Sequence, residues 1–265
     1  MTTLAVPQGD LHLAVIAAAY PLALAAAARS TWSPCGLSML SSITPLGEAG
    51  RGRRFRPTAA WFVAGATLGG AMVGGVMAGL AAAVRALGPS PLLLALLAVL
   101  ALVLGAAGDL GLLGYRIPLL RRQVNERWLD HYRAWVYGSG FGWQIGTGLT
   151  TYVMTTAVFV TIAVGVLSAS PLIALSIGAV FGLSRGLAVL LGARVTTPEA
   201  LMRLHRGFDR LRRPVWLGVV IAQASLGLAL AALSWPPSLA IGAVAIAGVT
   251  WAVTRSPLRH LATPG

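Results

Sequence analysis

Lysine is absent from this chain of 265 residues, cysteine occurs once, and only seven residues are acidic. Charged residues make up 10% of the chain against 57% hydrophobic ones, and the mean hydropathy is +0.78. So few charges cannot clothe a soluble surface, where roughly a quarter is usual. The single cysteine, Cys35, excludes an internal disulfide framework. The four histidines (His12, His131, His205 and His260) have no metal-site spacing, so no metal site and no cofactor are implied. No basic residue precedes Asp10, so the first apolar run is expected to be a retained span rather than a cleaved leader.

A net charge of +13 would ordinarily raise nucleic acid as a partner. Here every basic residue is arginine, and the arginines gather in short segments between apolar runs rather than along one soluble face. That distribution excludes nucleic acid and points to a lipid bilayer. A span needs about 20 mostly apolar residues. The pattern predicts seven, at 11–28, 58–84, 91–115, 140–167, 171–193, 214–233 and 238–254. Arginines follow the odd-numbered spans: Arg51, Arg53, Arg54 and Arg56, then Arg116, Arg121, Arg122, Arg127 and Arg133. The same holds for Arg194 and the five from Arg203 to Arg213, and for Arg255 and Arg259. The loops between hold only Arg85. By the positive-inside rule this is a multi-pass protein of the cell membrane, N-terminus outside and C-terminus cytoplasmic.

Two regions do not read as plain spans. From Leu11 to Pro45 no long polar loop occurs, yet an unbroken helix of that length would be about 50 Å long, against a hydrocarbon core of about 30 Å. Pro21, Pro34 and Pro45 supply break points, and Cys35 falls at one of them. Irregular backbone at that depth survives only where protein buries it or a cavity wets it. The second region opens with Gly138-Ser139-Gly140 and runs through Gly146-Thr147-Gly148 to Thr150-Thr151. Interrupted elements in first and fourth place, with glycine-rich second and fifth spans, fit an all-α fold made of a 3+3 inverted repeat. The halves are 11–115 and 138–233, with one extra C-terminal helix at 238–254.

Three segments resemble the cytochrome c biogenesis transmembrane family, the CcdA and DsbD group of thiol-disulfide reductant carriers. They are Ser33-Pro34-Cys35 followed by Pro45, the stretch Gly111-Leu112-Leu113-Gly114-Tyr115-Arg116-Ile117-Pro118-Leu119-Leu120, and Gly140-Phe141-Gly142-Trp143. The resemblance spans about residues 11–230. It implies reducing equivalents passed across the membrane by a proline-cysteine pair in each half. Pro34 and Cys35 match the first pair, with Gly36 as the adjoining hinge. The second has no counterpart, since Gly146-Thr147-Gly148 and Thr150-Thr151 stand there. A disulfide relay needs an attacking and a resolving thiol. The missing sulfur would come from a thioredoxin-like or cytochrome-maturation partner, making the chain at most thiol-disulfide oxidoreductase-like.

Other residues carry different readings. Arg29, Asp109 and Arg185 are charges in or beside spans, where each costs about 2.5–3.5 kcal/mol and normally faces a partner or cavity. Asp109 and Arg185 are expected to meet at one depth, or Asp109 to meet Arg29. Gln144, Thr147, Gly148, Thr150 and Thr151 offer hydroxyls, an amide and flexible backbone that suit a small solute or ion, or else bond back to helix carbonyls. A secondary transporter on the same scaffold is therefore one alternative, and a non-catalytic subunit of a membrane assembly is another.

Overall fold

The computed structural model describes residues 8–114 and 128–234. The seventh span at 238–254, the turn at 235–237, the arginines at 116, 121, 122 and 127, and the motif residues from Tyr115 to Leu120 lie outside the described residues. Within them, all regular structure is helical. In chain order come α1 (Gln8–Ser30), α2 (Pro34–Ser42), α3 (Pro45–Gly50), α4 (Phe55–Leu87) and α5 (Pro91–Asp109). Then follow α6 (Trp128–His131), α7 (Ala134–Thr147), α8 (Ala157–Leu167), α9 (Pro171–Leu187) with a 3-10 extension (Ala188–Gly192), and α10 (Pro198–Ser234). Five of these, counting α9 with its extension, are long and apolar enough to cross a bilayer. The chain is an all-α, polytopic membrane protein.

Proline punctuates it. Pro34, Pro45, Pro91 and Pro171 each stand in the first turn of a helix, where the missing N–H costs nothing and the fixed φ suits helix entry. Ser33, Thr44 and Ser90 cap three of these starts by accepting from the Gly36, Gly47 and Leu93 amides. Thr197 caps α10 in the same way, its hydroxyl accepting from the Ala200 amide at 3.3 Å.

In the middle of the bundle α4 is clamped between α7 and α9. Lipid tails give helices little hydrophobic reason to associate, so close packing of small residues takes that role. A Cβ on Gly70 would collide with the Gly178 carbonyl, and one on Gly142 with the Phe62 carbonyl. The outward face of α4 (Leu68, Met72, Val76 and Leu80) is exposed, as suits contact with lipid. Among the described residues two main apolar cores result, beside a small cluster of Ala106 and Val220 between α5 and α10. The larger joins α1, α4, α5, α8, α9 and α10; the smaller gathers Met39, Leu40, Phe62, Tyr137, Phe141, Val189 and Phe208 at the end where the arginines lie.

Three boundaries differ from the sequence expectation, each for a local reason. The third span ends as a helix at Asp109, because Gly111 and Gly114 take left-handed φ of 74° and 75°. The fourth, expected as an interrupted element from 140, starts earlier at Ala134, and its interruption falls at residues 148–156, after Gly148 closes α7 at φ 71°. The sixth begins at Pro198 rather than Pro214, which sits inside α10. A proline is tolerated there because its neighbours, Arg210 to Arg213, are exposed, so the carbonyl it frees can reach other donors.

Candidate functional site

The first interruption follows α1 and the second follows α7. The first consists of Thr31, Trp32 and Ser33, folded as a turn in which the Thr31 and Ser33 amides donate to Ala28 and Ser30 carbonyls. Pro34 then restarts the helix, and Cys35 sits in its first turn, 2% exposed. Gly36 is required by space: a Cβ there would strike the Thr31 carbonyl. The expected thiol, its proline and its glycine thus form one compact corner.

Arg185, from α9, faces that corner. It is 2% exposed and lies within electrostatic reach of Cys35. Its Nη2 donates to the Ser30 carbonyl at 3.2 Å and its Nη1 to the Ile145 carbonyl at 2.6 Å, while the Phe181 ring lies 5.9 Å from the guanidinium carbon. Ser30 ends α1 and Ile145 lies in the last turn of α7. Helix C-termini carry partial negative charge on carbonyls that the helix leaves unpaired. Two such ends converging on one guanidinium explain how a cation is tolerated at this depth. The ion pair expected between Arg185 and Asp109 does not form, because backbone carbonyls take the guanidinium instead.

Asp109 belongs to a second polar group. Its carboxylate accepts from the Thr155 hydroxyl at 2.7 Å, the Thr156 amide at 2.8 Å and the Gln223 amide at 2.8 Å, and its carbonyl accepts from the Trp216 indole at 3.2 Å. Arg29 lies within electrostatic reach of it without an ion pair. Its Nε and Nη1 are buried and meet no acceptor among the described residues. Asp109 therefore ties the second interruption to α5 and α10.

The threonine group bonds inward. Thr147 and Thr150 both donate to the Gln144 carbonyl, at 2.8 and 2.9 Å, and their hydroxyls are 2.7 Å apart. The Thr151 hydroxyl is buried and meets no partner among the described residues. A Cβ on Gly148 would meet the Phe181 ring at 2.7 Å, so that close turn also needs glycine. The gap bordered by Gly70, Met77, Thr147 and Phe181 holds about 10 Å³, room for about one water.

A third group was not foreseen from the sequence. Glu48 is fully buried, its carboxylate accepting from the Tyr137 hydroxyl at 2.6 Å, the Thr58 hydroxyl at 2.8 Å and Arg51 Nη1 at 3.2 Å. Its one signal in the sequence is that it is an acid in a stretch of arginines. Thr155, Thr156 and Gln223 gave no signal, since threonine and glutamine inside apolar runs are usually structural.

The architecture is that of a multi-pass α-helical membrane protein with two broken helices meeting around a buried arginine and a thiol. Its sequence is 31% identical over 219 residues to the methylamine utilization protein MauF of Paracoccus versutus, covering 80% of this chain and 77% of that protein. It is 33% identical over 201 residues to MauF of Paracoccus denitrificans, covering 72% and 71%. MauF of Methylophilus methylotrophus is 30% identical over 171 residues, covering 63% and 59%. The chain belongs to the MauF family. No family model matches it, and no solved structure does either. These relatives carry a methylamine utilization name, whereas the short motifs resemble the cytochrome c biogenesis family.

Proposed function

We propose that this chain serves methylamine utilization as a membrane accessory protein whose Cys35 exchanges disulfides with cysteine-bearing partners. The observation that carries the reading is the placement of Cys35, in the first turn of α2, facing an arginine fixed between two helix C-termini. A helix N-terminus and a guanidinium both stabilise negative charge on sulfur, the charge that appears when a disulfide is exchanged.

The chemistry balances with one sulfur in this chain. The Cys35 thiolate attacks a client disulfide, forming a new S–S bond while the client's bond breaks and its second sulfur leaves to take a proton. A thioredoxin-like dithiol then attacks the Cys35 sulfur, expelling the client sulfur as a thiol. The donor's second thiol finally displaces Cys35. The net change is one client disulfide reduced and one donor dithiol oxidised. Two halves, 11–115 and 138–233, each opening with an interrupted helix, form the scaffold, with the arginine-bearing ends toward the cytoplasm.

The transport alternative draws less support. The threonines offered for a solute are engaged with each other and with Gln144, and the gap beside them holds about 10 Å³. The guanidinium of Arg185 also takes the place that a coupling cation would need between the half-helix ends. The non-catalytic alternative draws on the burial of Cys35, which is 2% exposed.

Replacing Cys35 by serine separates the readings. Thiol exchange expects loss of growth on methylamine in cells carrying Cys35→Ser, and a mixed disulfide through Cys35 when wild-type cells are quenched with acid and alkylated. Normal growth of the serine strain together with no adduct would leave the non-catalytic role standing.

A further inference from the structure

A buried Cys35 can meet another protein's sulfur only if what covers it moves. The arginine-bearing half of α10 reaches the cysteine segment through two side-chain contacts. Trp32, three residues before the thiol, packs on Phe208 with ring centroids 4.7 Å apart, and its indole N–H donates to the Phe208 carbonyl at 2.8 Å. Six residues after the thiol, Ser41 Oγ and His205 Nε2 are 2.9 Å apart. Phe208 is 7% exposed and belongs to the smaller core with Met39 and Leu40. This arm of α10 therefore grips the cysteine segment on both sides of Cys35.

The other face of the arm is open. Arg203, Arg206, Arg210 and Arg213 are all exposed and recur at three- and four-residue steps, so they share one helical stripe. Asp209 and Glu199, the latter one turn before Arg203, are the acids beside them, and no ion pair engages the stripe among the described residues. The helix is continuous over 37 residues, about 55 Å, or roughly 25 Å more than a hydrocarbon core. Arg203 and Arg206 thus stand about 10–15 Å along the axis beyond Arg213, further out than one layer of headgroups serves equally.

Resting on the thiol-exchange reading, we propose that the arginine stripe of α10 is the docking surface for the exchange partner, a soluble protein with an acidic face around its reactive cysteine. Docking there pulls Phe208 from Trp32 and uncovers Cys35. The same arm is surface and cover, so the thiol opens only to a protein that carries matching charge.

Two rates on the full-length protein in lipid nanodiscs test this. The first is alkylation of Cys35 by a bulky maleimide. Phe208→Ala should speed it about tenfold or more by removing the ring contact. Trp32→Phe, which keeps a ring but loses the N–H, should give a smaller increase and serves if the alanine variant fails to fold. Equal rates in wild type and both variants would overturn the cover. The second is thionitrobenzoate release from a thioredoxin whose resolving cysteine is serine and whose other cysteine carries thionitrobenzoate. The triple variant Arg203→Gln, Arg206→Gln and Arg210→Gln should lose about tenfold or more of that rate at low salt while keeping the wild-type maleimide rate. An unchanged release rate would overturn the docking surface. So would a loss seen in phosphatidylglycerol discs and absent from phosphatidylcholine discs, which would make anionic lipid the occupant. Faster alkylation of Phe208→Ala alongside normal growth of Cys35→Ser cells would sink thiol exchange and leave the cover intact. Unchanged alkylation with a non-growing serine strain would do the reverse.

Discussion

Two glycines five residues apart on α4 should respond to the same substitution with opposite signs. At Gly70, an added methyl group would collide with the Gly178 carbonyl and lie 2.7 Å from the Gly182 Cα, all of it backbone that cannot rotate away. The helices must therefore separate by several tenths of an ångström along their tightest contact. Overpacking of this kind costs about 1–3 kcal/mol. At Gly75, nothing lies within 4 Å of the same added methyl. There the change removes a flexible residue from a helix interior, worth about 0.5–1 kcal/mol of stabilisation. For a chain of this size 1 kcal/mol corresponds to about 2–4 °C in the unfolding midpoint. Thermal unfolding in detergent, followed by circular dichroism, should show Gly70→Ala melting several degrees lower and Gly75→Ala level or slightly higher. Equal midpoints for Gly70→Ala and wild type would refute the claim that backbone approach between α4 and α9 holds the bundle together.

Arg185→Lys should be harsher than Arg185→Met. The lysine keeps the cost of a buried charge yet cannot reach both the Ser30 and Ile145 carbonyls, losing about 1.5–3 kcal/mol for a charged hydrogen bond. Methionine removes the charge as well, so its midpoint should lie above that of the lysine variant. Asp109→Leu strands the Thr156 amide and the Gln223 side chain without an acceptor, about 1–3 kcal/mol each, and should show as a lower midpoint and poor membrane accumulation. Tyr137→Phe deprives the buried Glu48 carboxylate of its shortest hydrogen bond, at 2.6 Å. The expected loss is about 1.5–3 kcal/mol, and protease digestion should cut the 42–56 region faster.

The sequence by itself determined the solvent of this protein, the approximate place of its helices and the spot where the first one breaks. Those follow from local facts: apolar runs of bilayer length, arginines between them, and prolines that can begin a helix but not continue one. It also named Cys35, Pro34 and Gly36 as one corner, because adjacency in the chain guarantees adjacency in space. The partners of the charges were beyond its reach. Arg185 was expected to answer Asp109 and instead answers the carbonyls of Ser30 and Ile145, and backbone ends leave no mark in a residue pattern. Asp109 finds Thr155 and Gln223, 46 and 114 positions away. Glu48 finds Tyr137, 89 positions away. The contact between α10 and the cysteine segment likewise exists only once Phe208 and Trp32, 176 positions apart, are packed together. Such pairings are set by which helices lie side by side, and close approach of α4 to α7 and α9 settles that order through contacts no single segment contains.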